Sequence, residues 1–274
     1  MDATPAWDPR QYLRHAGHRT RPFHDLVARV PELPRTPARI ADLGCGPGTG
    51  TALLAALRPD ARITGLDNSP DMLAAATAHT GPTGGGGRID FAHANIGAWE
   101  PTETFDLIIS NAALHWVPGH TDAFPRWADA LTPGGTLAFQ VPGNHSAPSH
   151  TILRELCEEP RWRQRLGAAR TGSAREPADY LAHLSGLGLT ADVWETTYLQ
   201  LLPGEDPVLD WLKGTTLRPV LTALADDPGA TEEFLHTCAT RLRKAYPRGP
   251  HGTVFPFRRI FAVARKPAPS PPGV

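Results

Sequence analysis

The sequence predicts a doubly wound α/β fold, a mostly parallel seven-stranded sheet with helices on both faces and helical cap segments outside it. Three observations carry this. An apolar lead-in at Arg39–Leu43 runs straight into alternating glycines (Gly44, Gly46, Gly48) and then into a helical pattern, so strand, tight turn and helix follow in direct succession. A second apolar segment, 62–66, ends in Asp67, 23 positions after Gly44. The run Phe105-Asp106-Leu107-Ile108-Ile109-Ser110 is nearly continuous in apolar residues, as in strands buried on both faces of a parallel sheet.

Ahead of the first strand, Pro22 suits a first helical position. Phe23, Leu26, Val27 and Val30 then recur at helical spacing, which gives one packing face with Arg19 and Arg21 at the helix entry. A proline-punctuated linker, 31–37, leads to strand one at 39–43. The helix at 49–57 carries Leu53, Leu54 and Leu57 on one side. After strand two, Ser69 is placed to cap a helix opening with Pro70 and Asp71, with Met72 and Leu73 facing inward. Gly84 to Gly87 reads as a flexible surface linker. Strand three, 89–92, leads to Asn95 and Ile96; strand four, 105–110, runs into Asn111-Ala112-Ala113-Leu114-His115-Trp116-Val117. Residues 131–135 read as a turn into strand five, 136–141. Helical patterns follow at 149–170 and 177–185, then strand six at 191–199 and strand seven at 257–264. Between these last two strands lie about fifty residues with helical patterns near 208–212, 217–225 and 231–246. That insertion (about 203–256) and residues 1–37 are expected to cap a core of 38–142, within one domain reaching residue 266. The proline-rich 267–274 reads as a disordered tail.

Composition narrows the partners. Lysine plus arginine (27) against aspartate plus glutamate (28) leaves net charge −1, so no bulk field draws the protein to nucleic acid or to an anionic membrane. A small molecule is the expected partner, and a monomer or weak dimer the expected state. Cys45, Cys157 and Cys238 are isolated, with no C-x-x-C and no histidine at ligand spacing, which argues against disulfides and structural zinc. No metal is expected. No leader pattern and no long apolar span is visible, so the expected location is the cytoplasm.

The glycine turn is a ligand cradle, because glycines accept positive φ and let a ligand approach the main chain closely. Asp67, at the end of the next strand, can accept both hydroxyls of a ribose. Ligands of open α/β sheets collect at the carboxyl ends of the strands, so Gly44, Asp67, Asn95 and Asn111 are expected along one rim. The spacing disfavours a dinucleotide: its fingerprint wants a third glycine at the sixth position from Gly44, where Thr49 stands. A phosphate loop would need Gly-Lys-Ser/Thr, and no lysine is present there.

The pattern acid-x-Gly-x-Gly-x-Gly from Asp42 through Gly48 resembles the first motif of class I S-adenosylmethionine-dependent methyltransferases, which share a Rossmann-like sheet. More particular runs, Trp7-Asp8-Pro9…Tyr12-Leu13, Gly17-His18-Arg19…Arg21-Pro22, 110–118, 140–144, 194–198 and 255–259, resemble the trans-aconitate 2-methyltransferase family from about Trp7 to Arg265. The resemblance implies methyl transfer from S-adenosylmethionine to one carboxylate of trans-aconitate, giving a monomethyl ester and S-adenosylhomocysteine. It implies cofactor contacts at Asp42, Gly44, Cys45, Gly46, Gly48, Asp67, Asn68, Met72, Asn95, Ile96, Asn111 and Ala112. Asn95 departs from the family, which often carries an acid beside the adenine; the amide carbonyl can still meet the adenine amino group.

A carboxylate has a reference pKa near 4, so it is already a nucleophile at neutral pH and no general base is required. The enzyme must place one oxygen in line with the methyl group, which leaves His115 and Trp116 as positioning residues. The other carboxylates need partners in a dry pocket. Candidates are Tyr12, His18, Arg19, His115, Trp116, Tyr198, Arg218 and Arg259, with Arg21 and Arg258 as further possibilities. Strand alternation turns Arg258 and Arg259 to opposite faces, so only one of them can point into the pocket. Three alternatives stand beside this reading: methylation of a hydroxyl or amine of another metabolite, a nicotinamide-dependent oxidoreductase using Asp67, and a nucleoside-binding regulator without chemistry.

Overall fold

The computed structural model describes residues 16–166 and 173–268. Its sheet has nine strands, seven long and two of only two residues. In chain order they are β1 (Arg39–Leu43), β2 (Arg62–Asp67), β3 (Gly81–Pro82), β4 (Arg88–His93), β5 (Phe105–Asn111), β6 (Leu131–Pro142), β7 (Thr190–Leu202), β8 (Arg248–Gly249) and β9 (Gly252–Arg265). The order across the sheet is β3-β4-β2-β1-β5-β6-β9-β7, with β8 on β9. β1 runs parallel to β2 and β5, β2 to β4, and β5 to β6. β9 breaks the pattern. Gly143 N–H donates to Arg258 O and Gly134 N–H to Lys266 O, so β9 runs antiparallel to β6.

The helices are α1 (Ala16–Val27), α2 (Thr49–Leu57), α3 (Pro70–Ala76), α4 (Phe124–Asp129), α5 (Pro148–Glu158), α6 (Pro160–Leu166), α7 (Pro177–Gly186), α8 (Pro207–Lys213), α9 (Arg218–Ala223) and α10 (Pro228–Ala245). Ser69 caps α3 by accepting from Met72 N–H at 3.4 Å, and Pro70 takes the first position, where its missing N–H costs nothing.

Four expectations need correction. Pro22 lies inside α1 and does not open it; the ring removes one intrahelical bond, and burial of Phe23 and Leu26 on the same turns holds the helix through it. Residues 131–135 are already strand, because Phe105 N–H donates to Ala130 O and Lys266 N–H to Gly135 O. A register irregularity between Phe105 and Leu107 absorbs the Pro-Gly-Gly. Gly84 to Gly87 form no slack linker: a Cβ on Gly87 would stand 2.2 Å from Ala61 O, and one on Gly85 2.6 Å from the Pro59 carbonyl carbon. Those glycines allow close backbone approach, sealed by Gly87 N–H to Pro59 O at 3.1 Å. The helical pattern at 149–170 is interrupted: up to residue 166 it forms two helices, broken where Glu159 leaves helical geometry at ψ 143 before Pro160, and 167–170 lie outside the described residues. Within the tail, residues 269–274 lie outside the described part.

The chain divides into two compact units. Of the described residues, the sheet unit takes 19–141, 174–195 and 260–268, and the helical unit takes 16–18, 142–166, 173 and 196–259. Residues 19–37 thus cluster with the sheet, and 142–166 with the insertion. The sheet unit's core joins Leu43, Ile108, Phe124, Trp127, Phe139 and Tyr180. Trp194 lies flat on Phe261 at 4.9 Å, and the Arg29 guanidinium covers the Trp194 ring at 4.6 Å while pairing with Asp192. At the opposite strand ends from the rim, buried Asp106 accepts from Arg35, from Arg39 N–H at 2.7 Å and from Thr132. The helical unit has its own core, in which Trp211, Phe255 and Phe257 meet at 5.4–5.9 Å and Trp162 stands edge-on to Phe234.

Candidate functional site

The loop between β1 and α2 is built by three glycines in left-handed conformation, each for its own reason. Gly44 (φ +74) has no room for a side chain, since its Cβ would stand 2.2 Å from Ala113 Cβ; at Gly48 (φ +78) the obstacle is Phe91 at 2.8 Å. Gly46 (φ +56) differs: nothing lies within 4 Å of its Cβ position, so this stretch of main chain faces open space. Cys45 is buried between them, and burial with the nearby Asp42 and Asp67 charges pushes its thiol far up. It therefore acts as a small packed residue.

Asp42 is buried, and its carboxylate accepts from Thr51 Oγ1 at 2.6 Å, tying the end of β1 to the first turn of α2. Burial pushes this carboxyl up to about 6; the Thr51 hydrogen bond lowers it and the Asp67 charge raises it. Asp67 is half-buried and bound by main-chain donors on both oxygens, Gly46 N–H to Oδ2 and Ser69 N–H to Oδ1, each at 2.9 Å. Each oxygen keeps a further lone pair. Asn68 beside it is exposed, and Met72 is buried at the start of α3.

On the next strand end, Asn95 Oδ1 accepts from Gly97 N–H at 3.1 Å and caps the short helix Ile96–Ala98. The expected carbonyl contact to adenine therefore has only the second lone pair left to it. Ile96 is buried and approaches the Gly44 Cβ position at 3.7 Å. At the end of β5, Asn111 Oδ1 is a buried acceptor with no hydrogen-bond partner. Ala112 after it has φ +54, a left-handed conformation that costs a residue with a Cβ energy, and its N–H donates to Gln140 O at 2.8 Å. An unsatisfied acceptor beside a strained residue, at the rim the glycine loop opens on, fits a ligand that brings a donor such as an ammonium.

His115 and Trp116 follow on the short helix Leu114–Trp116, ring centroids 4.8 Å apart, His115 buried and Trp116 half-buried. Sequence reasoning missed the network bracing this segment. Val117 O lies 3.3 Å from His120 Nδ1, Tyr180 OH lies 2.8 Å from His120 Nε2, and Arg175 N–H donates to the same phenol oxygen at 3.2 Å. Every group is satisfied when Nδ1 carries the proton and Tyr180 donates to Nε2. Burial lowers the His120 pKa and lifts Tyr180 to about 12, so the network stays neutral.

Of the remaining candidates, Tyr198, Arg218, Arg258 and Arg259 belong to the helical unit. Arg259 is buried with its guanidinium 4.4 Å over the Phe257 ring, while Arg258 is half-buried, as the alternation along β9 requires. Tyr198 is buried, and Arg218 is half-buried at the first position of α9. Arg21 is exposed on α1 of the sheet unit. Tyr12 lies outside the described residues, as do the side chains of His18 and Arg19. Two buried polar residues here were not among the expected site residues, although Asn144 ends the family-like run 140–144. Asn144 accepts from Arg258 N–H; His150 contacts Ser149 Oγ at 3.1 Å and Thr216 Oγ1 at 3.4 Å, and burial pushes it down to about 3.

Comparison with known proteins fits this geometry. A family described as a methyltransferase domain matches residues 40–135, which hold the glycine loop and the whole rim. A trans-aconitate 2-methyltransferase of Streptomyces coelicolor is 62% identical over 97% of this chain and 89% of its own length; one of Rhodococcus jostii is 44% identical over 94% and 99%. The chain belongs to the trans-aconitate 2-methyltransferase family. It is an S-adenosylmethionine-dependent methyltransferase, and the orphaned Asn111 acceptor, the open Gly46 main chain and the spare Asp67 lone pairs fit that cofactor. Solved structures share the fold of the family. Bacillus subtilis YcgJ covers 92% of this chain and 99% of its own at 15% identity and TM-score 0.55; Haemonchus contortus phosphoethanolamine N-methyltransferase 2 covers 90% and 52% at 18% and 0.54. Among the described residues no helix is long and apolar enough to cross a membrane, and no group of three or more His, Cys, Asp or Glu could hold a metal ion.

Proposed function

We propose that the enzyme esterifies one carboxylate of a small polycarboxylic acid, with trans-aconitate as the acceptor and a monomethyl ester and S-adenosylhomocysteine as products. The observation that carries this is the identity of 62% and 44%, over nearly the whole chain, to relatives named for that reaction. The bound cofactor supplies an electrophilic methyl group. The protein's task is then orientation, because the nucleophile is already ionised at neutral pH. Asp67 takes the ribose hydroxyls on its spare lone pairs, Asn95 and Ile96 border the adenine, and Asn111 Oδ1 receives the ammonium of the amino-acid part. His115 and Trp116, held from behind through Val117 and His120, orient the reacting groups. Arg259, with Arg218 and Tyr198, binds the carboxylates that do not react.

Transfer of labelled methyl from the cofactor to trans-aconitate tests the acceptor: absence of turnover on any tricarboxylate removes it. Arg259→Ala is expected to raise the acceptor KM at least about tenfold, as for loss of a charged hydrogen bond, while calorimetric affinity for S-adenosylhomocysteine holds. An unchanged KM removes the role of Arg259.

A further inference from the structure

Beyond the arginines, the helical unit holds a buried donor that its own fold does not use. Where β6 ends, Gly143 N–H donates to Arg258 O at 3.0 Å and Asn144 Oδ1 accepts from Arg258 N–H at 2.8 Å. Because a main-chain donor faces the amide, the oxygen must occupy that side and the NH2 group the other. Asn144 is only 3% exposed, yet Nδ2 has no hydrogen-bond partner. Clamping Arg258 needs an oxygen alone, which aspartate or serine would also supply. The amide therefore adds a donor that the fold leaves unmet at a cost.

The chemistry around it indicates what meets that donor. The next residue after the clamped Arg258 is buried Arg259, its guanidinium 4.4 Å over the Phe257 ring. Among the described residues of this unit the buried polar set is Asn144, Ser149, His150, Gln200, Thr216, Thr253 and Arg259, with no acid in it. A directed N–H donor, a buried cation and an acid-free interior suit an anion with oxygen acceptors. We propose that Asn144 Nδ2 donates to a carboxylate oxygen of the acceptor, making Asn144 a determinant of acceptor specificity alongside Arg259. This rests on the carboxylate acceptor proposed above and names the neutral donor that reads it.

Asn144→Asp isolates the role, since it keeps an oxygen for Arg258 N–H and replaces only the NH2 with a second, negative oxygen. Asn144→Ser, which also keeps an oxygen, serves as the second variant and is judged by the same criteria if the aspartate does not fold. The probe is propane-1,2,3-tricarboxylate, titrated by calorimetry in the presence of S-adenosylhomocysteine, with the KM for trans-aconitate measured in parallel. Probe affinity is expected to fall, and KM to rise, at least about tenfold, while affinity for S-adenosylhomocysteine stays within about twofold. Probe binding within about twofold of the parent overturns the proposal, and so does parallel loss of S-adenosylhomocysteine, the sign of a purely structural residue. A parent enzyme that binds the probe and loses it in the variant, but methylates no tricarboxylate, removes the acceptor reading and leaves the anion site standing. A parent that does not bind the probe removes both.

Discussion

The two units hold polar groups of opposite character. In the sheet unit main-chain donors hold acids and an amide: half-buried Asp67 by Gly46 and Ser69, buried Asp106 by Arg39, exposed Asn95 by Gly97. In the helical unit they are neutral or cationic side chains, the Ser149–His150–Thr216 contacts, the Asn144 amide and the Arg259 guanidinium. The first arrangement offers acceptors to a ligand rich in hydroxyls and positive charge; the second offers donors to an anion. A methyltransferase that brings a sulfonium to a carboxylate needs both, and each is assembled from different material. Main-chain donors hold the Asp67 and Asn95 acceptors and also orient the Asn144 amide, whereas packing on Phe257 sets the Arg259 guanidinium.

The largest test concerns a buried acid of the sheet unit, Asp42. Asp42 has a pKa of about 6 in the fold against an ordinary 3.8, so the folded state binds its proton more tightly than the unfolded chain does. Its ionised form therefore weakens the fold: the penalty is absent below about pH 4, grows as pH rises through 6, and reaches on the order of 3 kcal/mol above it. Asp42→Asn, whose amide oxygen can still accept from Thr51, should be more stable than the parent in denaturant unfolding at pH 8 and equal to it near pH 4. A gain of the same size at both pH values would show that Asp42 carries no such penalty. Next in size, Asp67→Ala should weaken S-adenosylhomocysteine by about 2 kcal/mol, roughly thirtyfold, in calorimetry. Full affinity would end the idea that the acids of this unit are the cofactor's acceptors. The smallest effect is Ala112→Gly, expected to raise stability by about 0.5 kcal/mol, because relief of a left-handed Cβ slightly outweighs the added freedom of the unfolded chain. A loss of stability would show that Ala112 is not strained.

The same contrast explains what could be read from the sequence. The glycine loop, Asp67, the Ser69 cap and the β5 core are local in sequence, and spacing alone places them. The positive φ of Ala112 has no signature, since alanine seldom adopts it. His120 and Tyr180 are 60 residues apart, and Asn144 and Arg258 are 114 apart; neither pair lies in a periodic pattern. Pro22, Gly85 and Gly87 misled because their rules describe isolated chain: a helix held by its apolar face tolerates a proline, and a glycine serves close contact as readily as freedom. Strand alternation placed Arg258 and Arg259 on opposite faces without showing which is buried; that Asn144 stands against Arg258 had no local signal.

The strand order carries one more consequence, for how the molecule assembles. Among the described residues β7 has β9 as its only neighbour in the sheet, and β9 lies between β6 and β7 although it is made last of the three. A nascent chain that has reached residue 202 can complete β1 to β6 by successive pairings, but must hold β7 in waiting for about fifty residues until β9 arrives. Trp194 depends on that late arrival, because Phe261 on β9 is its stacking partner. Trp194 fluorescence should therefore report the closing event of folding, while β1, β2, β4 and β5 settle before it.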